Sequence, residues 1–173
     1  MIKSLIHQAP AISVLMADGL FLLAFVSIAK WLSRYIFIYM LFVLPGTVAH
    51  ELAHWCVAVV TNGKPKFPSF FLKRTRDGVM LGQVSFKNPR WYNAAFIALA
   101  PLLLLPFGAW LYLHEIATIP LLHAYHWINL YLIIAAGFSA LPSALDVRVA
   151  WKYGAPMLLA TAASVLLLLF RYH

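Results

Sequence analysis

The stretch YIFIYMLFVLPGTVAHELAHWCVAVV, Tyr35–Val60, decides the fold, because it is apolar over more than the roughly 20 residues that a helix needs to cross a bilayer. Its second half nevertheless holds two histidines, a glutamate and a cysteine. Ionisable groups are expensive inside a membrane, and they usually mark a functional site there. The stretch therefore predicts a membrane-spanning helix and also indicates where the function lies.

Composition places the rest of the chain in the same class. The 173 residues are 64% hydrophobic and 10% charged, with a mean hydropathy of +0.85, whereas soluble domains are about 45–50% apolar. Apolar segments long enough for helices lie at Ala11–Ala29, Tyr35–Val60, Trp91–Leu113, His126–Ala150 and Ala155–Phe170. We expect one all-α integral membrane domain over residues 1–173, a bundle of about five transmembrane helices.

The net charge of +8 comes from basic residues that interrupt apolar spans, and it does not form the aromatic-rich basic patch of a nucleic-acid-binding domain. Counted on alternate sides of five spans, Lys and Arg number ten against three. The positive-inside rule then places the N-terminus and the loop Thr61–Arg90 in the cytoplasm, facing anionic lipid headgroups. The small size suggests a bacterial inner membrane.

The loop Thr61–Arg90 is the longest polar segment. It begins with turn-forming residues and continues with Val79, Leu81, Val84 and Phe86, which are separated by glycine and polar residues. This spacing is typical of a short β-hairpin or edge strand, and an irregular loop is the alternative.

The sequence HELAH, from His50 to His54, has the spacing of a metal-binding motif. Residues four apart share one face of a helix, so both imidazoles can reach one metal ion, and Glu51 stands beside a bound water. A hydrogen-bond network between helices is the structural alternative. Catalytic zinc typically has three protein ligands, so a third must come from elsewhere in the chain.

The third ligand is sought among the five acidic residues of the chain. Asp77 lies in the polar loop and Glu115 on the opposite side of the membrane, which leaves Asp18 and Asp146. Asp18 enters its span from the same side, and we expect it at a depth comparable to that of the metal motif. Asp146 is favoured because Pro142 breaks the helix just before it, which frees backbone groups to face a polar cavity. An ion pair of Asp146 with a nearby basic residue is the alternative.

An H-E-x-x-H in a transmembrane helix, followed two spans later by Leu145–Asp146 after a proline-containing bend, resembles the site-2 protease family of intramembrane zinc metalloproteases. The resemblance covers Tyr35–Trp151, which we take as the catalytic core. The segment NPRWYNAAFIALAP, Asn88–Pro101, is similar to the asparagine-containing start of the next span in that family.

The second motif departs from the family pattern N-x-x-P-x-P-x-L-D-G. Aligned on Leu145 and Asp146, Phe138 stands at the asparagine and Val147 at the glycine, while Pro142 lies one place out of register. We still expect Asp146 to be a ligand. The chain lacks the asparagine to which the family pattern would assign substrate positioning.

The resemblance implies a fold, a cofactor and an activity. His50, His54 and Asp146 would bind one Zn²⁺, and Glu51 would act as the catalytic base in hydrolysing peptide bonds of membrane-spanning proteins. Val79, Leu81 and Val84 would hold the unwound substrate by strand addition.

Two other functions remain open. One is a catalytically silent relative of these proteases that binds a membrane partner, and the other is a metal-transporting or metal-sensing membrane protein. Weaker ligand candidates are Cys56, which points to another helix face, and three histidines that flank the external loop, His114, His123 and His126.

Overall fold

The computed structural model describes residues 12–75, 78–87, 90 and 93–155, with side chains described for all of these except 70–75, 78–81 and 83. The described chain is mainly helical, as predicted. In chain order its elements are α1 (Ile12–Leu32), α2 (Ile36–Val60), β1 (Ser69–Thr75), β2 (Gly78–Gln83), α3 (Ala94–Ile116), α4 (Ala124–Ser139) and α5 (Ala144–Ala155).

Three of these helices, α1, α2 and α3, are long and apolar enough to cross a membrane. A fourth span results if α4 and α5 count as one, although they are bent by 57° relative to each other. The composition and these helices identify a membrane protein. The fifth predicted segment, Ala155–Phe170, lies outside the described residues apart from Ala155.

Helices α2 and α4 form the pair on which the site is built. Three contacts join them at a constant offset: the Tyr131 hydroxyl donates to the Phe42 carbonyl at 2.6 Å, Gly46 lies against Ala135, and His50 meets Ser139. A constant offset means that the helices run parallel. A Cβ at position 46 would collide with the Ala135 carbonyl, so glycine permits this close approach.

Helix α3 is irregular at two points. Its α-helical parts, Ala94–Leu99 and Leu104–Leu111, are separated by a 3₁₀ turn at Ala100–Leu103, and a π-helical turn follows at Tyr112–Ile116. The 3₁₀ turn contains Pro101, which cannot donate a backbone hydrogen bond. Asn93 links the start of this helix to the end of α2. Its side-chain Nδ2 donates to the backbone carbonyl of Thr61, the residue after α2, at 3.3 Å.

Strands β1 and β2 lie in the loop after α2 and pair antiparallel, with Leu72 opposite Leu81 and Thr75 opposite Gly78. An isolated bridge between Pro65 and Phe86 extends the pairing toward the membrane helices. Strand β2 packs against α2, which brings a stretch of extended backbone to the helix that carries the HELAH motif.

Helix α1 is placed differently from the prediction. Its Asp18 contacts His126 near the start of α4, and its last residue joins α2 through the turn at 33–35. At 1.5 Å per helical residue, both of these points are roughly 20 Å from His50. The expectation that Asp18 lies at the depth of the metal motif is therefore wrong.

Candidate metal centre

The structure brings together the two histidines of the motif and the favoured acid. The Nε2 atoms of His50 and His54 are 3.1 Å apart. The carboxylate of Asp146 reaches both, with Oδ1 at 3.4 Å from His54 Nε2 and Oδ2 at 3.7 Å from His50 Nε2. His54 is buried, and the other two side chains are half-buried. These three residues form a group that can hold a metal ion, called here the metal group.

The hydrogen bonds on the far side of each imidazole fix where its hydrogen lies. Nδ1 of His50 is 2.6 Å from the Ser139 carbonyl, and Nδ1 of His54 is 2.6 Å from the Ile97 carbonyl. Because a carbonyl oxygen only accepts, each Nδ1 carries the hydrogen and donates it. In the neutral ring the Nε2 atom then carries a free lone pair, and the lone pairs of both histidines point toward the Asp146 carboxylate.

Three acceptors that converge without a donor between them repel one another, and a bound cation would relieve this repulsion. In a tetrahedral site with bonds of about 2.0–2.1 Å, neighbouring ligand atoms are separated by about 3.3 Å. The distances of 3.1 and 3.4 Å in the metal group are close to that value. The donor set and its spacing therefore fit a bound metal ion.

Local sequence explains the placement of Asp146. Ser143 and Asp146 form a reciprocal capping box at the start of α5: the Asp146 amide donates to Ser143 Oγ at 3.2 Å, and the Ser143 amide donates to Asp146 Oδ2 at 2.8 Å. The Ser143 hydroxyl donates to the same oxygen at 2.6 Å. The carboxylate is thus held in one orientation by two bonds from Ser143 to Oδ2, and its other oxygen faces His54.

The break before α5 confirms the disturbed helix that Pro142 predicts within the segment His126–Ala150. Pro142 has no backbone hydrogen to continue α4, and the capping box starts a new helix immediately after it. The chain turns by 57° at this point, so Asp146 faces α2.

Glu51 is buried in the contact between strand β2 and helix α2. Gly82 lies so close that a Cβ there would be 2.9 Å from Glu51 Oε1, and its φ of +97° is one that glycine adopts without strain. The backbone amide of Val84 faces the carboxylate. Backbone of the strand pair therefore covers Glu51, and only 7% of that residue is exposed.

The residues predicted to bind substrate lie along the same strand. Val79 and Leu81 belong to β2, in a part of the chain where only the backbone is described. Val84 lies one residue beyond the end of β2, and its backbone amide faces the Glu51 carboxylate. This contact between the strand and the HELAH motif is not visible in the sequence, because it depends on how the loop folds back.

Asp18 belongs to a second polar cluster and does not join the metal group. Its Oδ1 is 2.8 Å from Nε2 of His126, and its Oδ2 accepts a hydrogen bond of 2.7 Å from the Tyr112 hydroxyl. These three residues are called here the Asp18 cluster. His126 is fully buried. A cavity of about 300 Å³ between α1, α3 and α4 adjoins Asp18 and Tyr112.

The remaining candidates are separate from both groups. Cys56 is exposed on the outer face of α2, and the side chains of His114 and His123 are also exposed. Within the described residues none of them belongs to a group of metal-binding side chains. No family model, curated protein or solved structure matches this chain.

Proposed function

We propose that the protein is a zinc metallopeptidase of the site-2 protease type, which hydrolyses peptide bonds of membrane-spanning proteins. The observation that carries the proposal is the convergence of three acceptor atoms from His50, His54 and Asp146 beside a buried glutamate. Two imidazoles and a carboxylate are a common ligand set of catalytic zinc, which keeps its fourth position for water or substrate.

When bound, zinc lowers the pKa of a coordinated water toward about 7 and polarises the carbonyl of the bond to be cleaved. The protein supplies the proton acceptor. Glu51 follows His50 directly on α2, so its carboxylate is available to take the proton of the attacking water and later to pass it to the leaving amine. The backbone at Gly82 packs against the carboxylate, and the Val84 amide faces it.

A substrate helix must unwind before its backbone is accessible, since its carbonyls are bonded within the helix. Strand addition to the β1/β2 pair would hold the extended segment, and Val79 and Leu81 are the substrate-binding residues in this proposal. Val84, whose amide faces Glu51, is the third such residue. The strand pair would thus connect substrate binding to the catalytic base.

The orientation in the membrane rests on the basic loop between α2 and α3. Seven Lys and Arg residues lie within Thr61–Arg90, which supports a cytoplasmic position of this loop and of the nearby metal group. A bacterial inner membrane is the proposed location. The partners are then the bilayer, its anionic headgroups and a membrane-spanning protein substrate.

A catalytically silent relative that binds a membrane partner is the second candidate. It is favoured by the departure of the second motif from the family pattern, with Phe138 in place of the asparagine. Such a protein would keep the metal group as a structural site.

The test compares wild type with Glu51→Gln, purified and reconstituted with zinc. We expect about one zinc per chain in both, because Gln leaves the three ligands in place. Cleavage of single-span test substrates in proteoliposomes should fall by about 10²–10⁴-fold in the variant, the usual contribution of a general base.

Wild type that binds zinc but cleaves no substrate, together with a Glu51→Gln variant that keeps the full cellular effect, would favour the silent relative. Zinc flux into the same proteoliposomes would instead favour a transporter. Absence of zinc from wild type after reconstitution would refute both the peptidase and the metal site.

A further inference from the structure

Each of the two carbonyls that accept from the metal-group histidines belongs to a residue three or four positions before a proline. In an α-helix the carbonyl of residue 97 accepts the amide hydrogen of residue 101. Here that residue is Pro101, which has no such hydrogen. The Ile97 carbonyl receives the shorter 3₁₀ bond from Ala100, and it accepts from His54 Nδ1 at 2.6 Å.

The Ser139 carbonyl is in the same situation at the end of α4. Its 3₁₀ donor would be residue 142, which is proline, and its α-helical donor would be residue 143. The Ser143 amide donates to Asp146 instead. Neither helical donor therefore takes this carbonyl, and His50 Nδ1 occupies it at 2.6 Å.

The two sites are unrelated in sequence, yet both use a proline to remove a competing backbone donor. A histidine whose Nδ1 hydrogen is held by a carbonyl presents Nε2 as its only lone pair, so the ring binds metal in one tautomer and one orientation. Without that bond the ring can rotate and either nitrogen can carry the hydrogen.

We propose that Pro101 and Pro142 are positioning residues, which keep the Ile97 and Ser139 carbonyls available to His54 and His50 and so preset both imidazoles for the metal ion. This inference rests on the metal site of the proposed function. It adds that the geometry of the ligands is encoded on two other helices, through the absence of a backbone hydrogen.

Pro101 offers the sharper test, because Pro142 also ends α4. Pro101→Ala restores the amide hydrogen, which then competes with His54 for the Ile97 carbonyl. The matched control is a lactic acid residue at position 101, which has the same methyl side chain but an ester oxygen where Ala has N–H. Both replacements remove the proline ring, so only the hydrogen distinguishes them.

We expect Pro101→Ala to weaken zinc binding about tenfold, at the lower end of the effect of removing a group that orients a ligand. The lactic acid analogue should bind zinc as wild type does. Pro106→Ala provides a second control in α3, because the carbonyl that its proline leaves without an α-helical donor belongs to Leu102 and not to a partner of a ligand.

A second measurement needs no metal. In the zinc-free protein at alkaline pH, the ¹⁵N spectrum of labelled histidine should report His54 protonated at Nδ1 in wild type and in the lactic acid analogue. Pro101→Ala should give a mixture of the two tautomers. Equal tautomer populations in all three proteins would overturn the proposal, and this holds whether or not wild type binds zinc.

Discussion

The protein contains two clusters of acid and histidine side chains among apolar helices, and they differ in their balance of donors and acceptors. In the metal group each Nδ1 donates to a carbonyl, so two Nε2 lone pairs and a carboxylate face one another. In the Asp18 cluster both ring nitrogens of His126 face acceptors, the Ile119 carbonyl at 3.1 Å and the Asp18 carboxylate at 2.8 Å.

The difference determines what each cluster needs. His126 and Asp18 share one proton that satisfies both, either as an imidazolium beside a carboxylate or as a neutral ring beside an acid, and Tyr112 adds a second donor. The Asp18 cluster is thus complete without a metal, because 2.8 Å is a hydrogen-bond distance. In the metal group the Asp146 oxygens lie 3.4 and 3.7 Å from the Nε2 atoms, too far for good hydrogen bonds. Residue type alone does not identify a metal site, because the partners of each ring nitrogen decide it.

The largest expected effect comes from removing one histidine from each cluster. His54→Ala should reduce the zinc content from about one per chain to none after dialysis, because two ligands hold zinc poorly. His126→Ala is the matched variant, and it should retain the wild-type zinc content. Zinc analysis of both purified proteins measures this directly. A loss of zinc in His126→Ala would mean that the two clusters act as one.

The metal motif was predictable because its information is local. His50, Glu51 and His54 lie within five residues of one helix, where spacing alone places the two imidazoles on one face. For the third ligand, the sequence excludes two other acids of the chain and leaves Asp18 as an alternative to Asp146. The structure separates these two acids through α1, whose position depends on the partners of Asp18, and the sequence does not identify those partners.

The second largest effect is expected at Asp18, on stability and without a change in zinc. Asp18→Ala leaves the buried His126 and the half-buried Tyr112 without their acceptor, and an unsatisfied buried polar group costs about 1–3 kcal/mol. Asp18→Asn keeps one acceptor oxygen and should cost less. Denaturant unfolding in detergent, together with zinc analysis, gives both quantities. Wild-type stability in Asp18→Ala would show that the cluster is not a structural tie.

The helix break before Asp146 shows what a sequence signal can and cannot supply. Pro142 predicts a disturbed helix, and the serine and aspartate at 143 and 146 have the spacing of a capping box, which indicates a new helix start. That second signal turns a kinked span into two helices bent by 57°. The direction of the bend follows from packing against α2, where Gly46 sets the distance, and no local pattern contains it.

The smallest effect should come from the outer member of the Asp18 cluster. Tyr112→Phe removes the hydroxyl that donates to Asp18 Oδ2 at 2.7 Å, while the ring still fills its place in the π-helical turn. One hydrogen bond in such a setting contributes about 0.5–1.5 kcal/mol. Because His126 still supplies a proton to Asp18, we expect a loss smaller than that of Asp18→Ala, again with unchanged zinc. A loss equal to that of Asp18→Ala would mean that Tyr112 and not His126 is the main partner of the Asp18 carboxylate.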